Sequence, residues 1–362
     1  MFDNAKEYLD FLKSVQFDFS AFEFVREKPR KVVISVGKSA GYMYEKFVLR
    51  YPETAALPAF AVLPEGIKCN VPENVETFFS SHPHLTEKSF EAAEKLINFI
   101  KKHEPENVVV LLSGGSSALI EKSLNEKEAV ELNEKLLKSG LPITEINKKR
   151  SEYSLIKNGK FAEMFGNTGF YVFVASDIPF EGGEKFVGSM PFFRENLKNT
   201  HLFKCADSDS LHDALLKNLP ENTESFRRFT GSVDELKNLL LRRIEAGAES
   251  ILVTGEPLLK IDAKNAGTGG RMSHFALTML PFLQKKGMKL CALSSDGIDG
   301  NSPFAGAVVE GGLKTIPGNE ISSALESYNS AELLDRYGLM IKSGYTGLNL
   351  NDFVVFLRKN RA

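Results

Sequence analysis

Short runs of aliphatic residues recur along the chain, each followed by a glycine- or serine-bearing turn and then by a helically spaced segment. Lys31 to Val36 (KVVISV) predicts a buried strand, and Gly37-Lys38-Ser39 leads from it into a helix through about Arg50. Ala59 to Leu63 and Val75 to Ser80 predict two further strands. Thr86 to Lys102 carries apolar or small residues at Phe90, Ala93, Leu96, Ile97 and Ile100, the spacing of one helix face. Asn107 to Leu112 (NVVVLL) predicts the next strand, and Ser113-Gly114-Gly115-Ser116-Ser117 turns it into another helix. Helices are expected over about 126–138 and 143–153, and a strand over Tyr171 to Ala175. Strands that are apolar throughout, rather than alternating, are covered on both faces. The pattern therefore predicts a parallel α/β sheet flanked by helices.

Between Asn218 and Gly231 the apolar rhythm breaks at Pro220, Asn222, Thr223 and the pair Arg227-Arg228. A helix over Val233 to Ala246, a strand over Ser250 to Thr254, a helix from about Arg271 to Lys286 and a strand over Lys289 to Leu293 follow. Three hundred and sixty-two residues exceed what one core usually holds, so two domains are expected. The break divides them into 1–225, with a Rossmann-like sheet, and a smaller α/β domain over 226–349. The strand-like end, Asn351 to Leu357, is free to pair in either, so 350–362 could return to the first.

Lys and Arg number 45 against 47 Asp and Glu, a formal charge of −2. That balance supplies no large positive field for nucleic acid or an anionic membrane. No apolar run is long enough to span a bilayer, and Met1 to Leu12 does not read as a secretory signal. Cys69, Cys205 and Cys291 are far apart and form no CxxC, which argues against a disulfide scaffold or thiolate zinc site and fits a cytoplasmic protein.

The candidate chemistry lies in the segments that follow strands, where open α/β sheets bind ligands. Gly37-Lys38-Ser39 looks like the end of a P-loop, but the leading glycine would fall at Val32, so it is none. It stays a lysine at a helix N-terminus, suited to an anion or simply solvated. Ser113, Gly114, Gly115, Ser116 and Ser117 read as a phosphate cradle, with two glycines for close approach and three hydroxyls. The same letters approximate a nucleophile elbow centred on Ser116, but of His82, His84 and His274 none sits in a late loop to serve it. Asn147, Arg150, Ser154 and Lys157 are spaced to share one helix face, either holding an acid through Arg150 or facing solvent. Asp177, at a strand end, is a candidate metal ligand or general base, or a turn aspartate. Glu256, then Gly269 and Gly270 before Arg271, then Asp296 and Asp299 form the densest group, an anion site with two carboxylates suited to magnesium.

Together these segments resemble the glycerate 2-kinase family, whose C-terminal half is the MOFRL domain. The resemblance runs in order through Val36-Gly37-Lys38-Ser39-Ala40, His82-Pro83, Leu112 to Ala118, Asn147 to Gly159, Ser176-Asp177-Ile178-Pro179, Thr254-Gly255-Glu256, Gly269-Gly270-Arg271, Asp296 to Gly300, Ala305-Gly306-Ala307 and Thr346-Gly347…Asn349…Asn351-Asp352. It implies two α/β domains with the active site in the cleft between them, and transfer of phosphate from ATP to the 2-hydroxyl of D-glycerate, giving 2-phosphoglycerate. It also implies Lys38 and Arg271 as the phosphoryl-transfer residues. Asp177 is then the candidate base. Ser113 to Ser117 with Gly269 and Gly270 are the phosphate or nucleotide ligands; Asn147, Arg150 and Glu256 are the acid ligands, and Asp296 and Asp299 the Mg2+ ligands. The expected partners are small molecules, with no nucleic acid and no membrane; a homodimer is left open. The chain departs from the family at Met272-Ser273-His274, Phe180-Glu181-Gly182 and Met190. A hydroxypyruvate reductase and a non-catalytic ligand-binding relative are the rival readings. Against the reductase stands the lack of a GxGxxG turn after a strand.

Overall fold

A computed structural model describes residues 2–67, 71–261, 267–286, 288–312 and 315–358. The chain divides into two compact units, Phe17–Asp207 and Met1–Gln16 together with Ser208–Ala362.

Phe17–Asp207 is built on six parallel strands: β1 (Lys31–Val36), β2 (Ala59–Pro64), β3 (Glu76–Ser80), β4 (Asn107–Ser113), β5 (Gly169–Ala175) and β6 (Thr200–Ala206). Their order is β3-β2-β1-β4-β5-β6. The central β1, β4 and β5 are buried almost end to end, as their unbroken apolar sequences require. The helix Glu87–His103 buries Phe90, Ala93, Leu96, Ile97 and Ile100, the stripe its spacing predicts. His201 and Lys204 leave the edge strand β6 only partly buried, and its mixed sequence hides it from pattern reading.

The second unit holds a mixed sheet of β7 (Glu224–Phe229), β8 (Ser250–Gly255), β9 (Met288–Ser294), β10 (Gly306–Glu310), β11 (Met340–Ile341) and β12 (Asp352–Arg358). The order is β11-β10-β9-β12-β8-β7. β12 lies antiparallel between β8 and β9, pairing Asp352 with Gly255 on one side and Ser294 on the other. The C-terminal strand therefore completes the second sheet and does not return to the first; 359–362 lie outside the described residues.

Two expectations change. The break at 218–231 contains β7, an edge strand whose charged residues stay accessible while its backbone pairs with β8. The unit boundary falls at Asp207/Ser208 rather than 225/226, because the helix Ser208–Leu216 packs on β7 and β8. The N-terminal helix Ala5–Lys13 also belongs to this unit. Its Tyr8 hydroxyl donates to the Ser294 carbonyl, and Phe2, Tyr8 and Phe11 pack on Phe353 of β12.

Candidate functional site

In the unit Phe17–Asp207 the candidate residues gather where β1, β4 and β5 end. The strand order reverses between β1 and β4: β1 leads to β2 on one side, β4 to β5 on the other. Open parallel sheets bind ligands at such a crevice. The turns after the two strands are stitched together there. Lys38 N–H donates to Gly114 O at 2.8 Å, and Ser39 N–H to Ser113 Oγ at 2.9 Å. Gly37, at φ +134°, permits this closeness; a Cβ on it would lie 2.2 Å from Ser113 Oγ and 2.6 Å from the Ser113 carbonyl oxygen.

Lys38, His82 and Asp177 surround the two glycines of the second turn. A Cβ at Gly115 would meet Lys38 Cγ and His82 Cδ2, each at 3.0 Å, and one at Gly114 would lie 2.1 Å from Asp177 Oδ2. Burial, with the Lys38 charge and then His84 adding to it, pushes the His82 imidazole down to about 3. His82 is thus a neutral hydrogen-bonding group beside a lysine. Only its place in the His82-Pro83 motif marked it in the sequence.

The three serines divide. Ser113 and Ser116 are buried, Ser113 Oγ accepting from Ser39 N–H and Ser116 Oγ donating to Ser113 O at 2.9 Å. Their hydroxyls are bonded within the turn itself. Ser117 stays half-exposed, and Arg150 Nη1 donates to its hydroxyl at 3.3 Å.

Arg150 and its neighbours overturn the solvated-face reading. The helix Ile143–Tyr153 ends before Ser154, so the four residues do not share one face. They converge through the turn instead. Arg150 is 5% exposed and also donates to Asn133 Oδ1 at 3.1 Å. Lys157 and Glu121, 1% and 0% exposed, form a buried ion pair. Lys157 Nζ donates in addition to the Ser117 carbonyl at 3.0 Å, and Ser154 Oγ donates to Glu121. Asn147 is committed on both sides, donating to Phe186 O at 2.7 Å and accepting from Ser189 Oγ at 2.8 Å. Asn147 and Arg150 are thus tied into the surrounding walls by bonds within the protein. Glu121, invisible to motif reading, is the group around which this network closes.

In the other unit, Arg271 opens the helix Arg271–Lys286, with Nη1 donating to Glu256 Oε1 at 2.9 Å and Nε to Asp352 Oδ2. Burial alone would lower the guanidinium, but Asp352 and Glu256 outweigh it and hold it above its ordinary value. Burial raises Asp352, 2% exposed, to about 7 despite the pull of Arg271.

At Gly269-Gly270 both backbone amides already have partners within the protein. Gly269 N–H donates to Asn301 Oδ1 at 2.8 Å and Gly270 N–H to Ser273 Oγ at 3.0 Å. Asp299 accepts from Met272 N–H at 2.9 Å and Ser273 N–H at 2.8 Å, so its carboxylate caps this helix. A Cβ on Gly270 would sit 2.3 Å from Asp299 Oδ1, so the glycine pair is there for packing. Asp296 is half-buried, accepting from Ser294 Oγ and Ile298 N–H. Among the described residues no three His, Cys, Asp or Glu gather as a metal cage, and no helix is long and apolar enough to cross a membrane. Met272 and Ser273, where the chain departs from the resembled pattern, are fully buried.

Fold and site together define a two-unit α/β protein with a lysine held at the switch point of a parallel sheet. A domain of unknown function, DUF4147, matches residues 8–222, and the MOFRL family matches residues 249–352. The chain belongs to this DUF4147–MOFRL family, the glycerate 2-kinase family. A glycerate 2-kinase of Sulfurisphaera tokodaii is 33% identical, over 90% of this chain and 89% of that one. A D-glycerate 2-kinase of Thermotoga maritima is 26% identical, over 91% and 90%. The crystal structure of a Thermotoga maritima glycerate kinase superposes with a TM-score of 0.82 at 22% identity, covering 98% of this chain and 99% of that one, and shares the fold.

Two outcomes are expected from this packing. Lys157→Met strands the Glu121 charge and should cost about 3–5 kcal/mol in urea unfolding, whereas Lys157→Met with Glu121→Leu should recover most of it. A double variant as unstable as the single one would show that the ion pair itself is not what matters. For His82, the folded value lies below the ordinary 6.5, so its contribution is present above 6.5 and lost as the pH falls toward about 3. Relative to His82→Gln, the wild type should therefore lose stability between pH 7.5 and pH 5, read as unfolding midpoints at the two pH values.

Proposed function

We propose that the chain is an ATP-dependent glycerate kinase, transferring the γ-phosphoryl group to the 2-hydroxyl of D-glycerate and releasing ADP and 2-phosphoglycerate. The observation that carries this reading is Lys38, held against Gly115 at the reversal point of a parallel sheet. The likeness to glycerate 2-kinases over about nine-tenths of both chains supports the acceptor.

Phosphoryl transfer asks a protein for positioning and positive charge more than for covalent chemistry. Lys38 supplies that charge in its own unit. In the other unit Arg271 offers a guanidinium oriented by Glu256 and Asp352 to the phosphates of the nucleotide. Asp177 takes the 2-hydroxyl proton as that oxygen attacks the γ-phosphorus and the bond to ADP breaks. Neutral His82 and the Ser117 hydroxyl are the donors assigned to the acid. Magnesium, when bound with the nucleotide, neutralises phosphate charge. It needs only one or two protein carboxylates, and Asp296 suits that part.

The test is ADP release from Mg-ATP with D-glycerate, against L-glycerate, glycerol and no-acceptor controls, with the product identified by phosphorus NMR. Acceptor-dependent ADP with 2-phosphoglycerate is the expected result. NADH-dependent turnover of hydroxypyruvate without ATP would transfer the chain to the reductase reading. Lys38→Ala should lower kcat by about 10²–10³-fold while leaving the melting temperature in place. Turnover at the wild-type rate in that variant would remove Lys38 from the mechanism.

A further inference from the structure

The second unit contains a cavity of about 420 Å³, within the range of small-ligand sites. Its lining pairs two kinds of surface. Leu258, Ile261 and Ile298 are 56%, 44% and 36% exposed, large apolar side chains that line one hollow. Gly267, Gly269, Gly270 and Gly300 leave bare backbone on its wall, and Arg271 adds a cation.

The chemistry of that lining selects an occupant. The Gly269 and Gly270 amides are already bonded to Asn301 and Ser273, so they give contact area rather than donors to an anion. Asp299, Asn301 and Ser294 also line the hollow, but Asp299 accepts from Met272 and Ser273 N–H, Asn301 bonds the Gly269 N–H and the Gly267 carbonyl, and Ser294 Oγ donates to Asp296. Leu258, Ile261, Ile298 and the Arg271 guanidinium are left to a ligand, which suits a flat, weakly polar body carrying negative charge at one end. A three-carbon hydroxy acid has no apolar face to cover Leu258, Ile261 and Ile298, and it would leave most of the volume empty. Of the two substrates of an ATP-dependent kinase, only the nucleotide has both parts. We infer that this cavity takes the adenosine of the nucleotide, the base against Leu258, Ile261 and Ile298 and the phosphate chain toward Arg271. This rests on the kinase reading and, of the residues expected to hold phosphate or nucleotide, puts the adenosine beside Gly269 and Gly270 rather than Ser113–Ser117.

The test uses the full chain, with ADP binding followed by calorimetry in the wild type and in Leu258→Asp and Ile298→Glu. Both positions are exposed, and melting temperatures confirm folding. A carboxylate facing the base should weaken ADP about tenfold or more and raise KM for ATP similarly, with KM for D-glycerate unchanged. Photolabelling the wild type with 8-azido-ATP provides a reading independent of the variants. The label should fall on peptides carrying 256–261 or 294–301. Unchanged ADP binding in both folded variants, or label confined to 113–117, would overturn the cavity assignment while leaving the kinase reading intact. A wild type that neither binds ADP nor consumes ATP would overturn both.

Discussion

A buried ion pair underlies the turn on which the first unit's site is built. Lys157 and Glu121 have no water to fall back on, so each charge is tolerable only while the other stays in place. Lys157 also reaches the Ser117 carbonyl and Arg150 the Ser117 hydroxyl, so two buried cations hold the far end of the Ser113–Ser117 turn. Its near end is held by Gly37, Lys38 and Ser39. With both ends fixed, Lys38, His82 and Asp177 are left standing around two glycines. Electrostatic catalysis relies on groups oriented before reaction, and on the proposed kinase reading these supports would provide that orientation.

The second unit solves a different packing problem with similar letters. Two glycines before an arginine suggest an open helix N-terminus, the usual seat of a phosphate. Here Asp299, Asn301 and Ser273 satisfy the amides, and the glycines are required because the Asp299–Gly300 loop lies directly against them. The positive charge offered to a ligand is therefore that of the Arg271 side chain, not of the helix end. Asp352 and Glu256 set the direction of that side chain while neutralising much of its charge.

Elements with a strong period were legible from the residues. β1 runs over Lys31–Val36 and the long helix over Arg271–Lys286, as expected. The turns bearing Lys38, Ser113–Ser117 and Asp177 follow the expected strands, because those strands are apolar throughout and could only be central. Two of the edge strands were not legible, although the edge strand β3 was. β6 and β7 mix charged and apolar residues because one side of each strand has no neighbour, so the burial that creates a pattern is missing. The amphipathic N-terminal helix gave no sign that it would join the second sheet's unit through Tyr8 and Phe353.

By itself the chain's sequence determined the α/β class, the central strands, and the turns that carry Lys38 and Arg271, since these follow from local apolar runs and glycine placement. The tertiary structure decided which polar residues face a ligand and which are spent inside. Arg150, Asn147, Ser113, Ser116 and Asp299 all look like ligand groups in the sequence, and all are bonded within the protein. Glu121 and Asp352, unremarkable as single letters, are among the most buried charges. The physical reason is that a buried polar group needs a partner, and that partner comes from strands and turns distant in the chain.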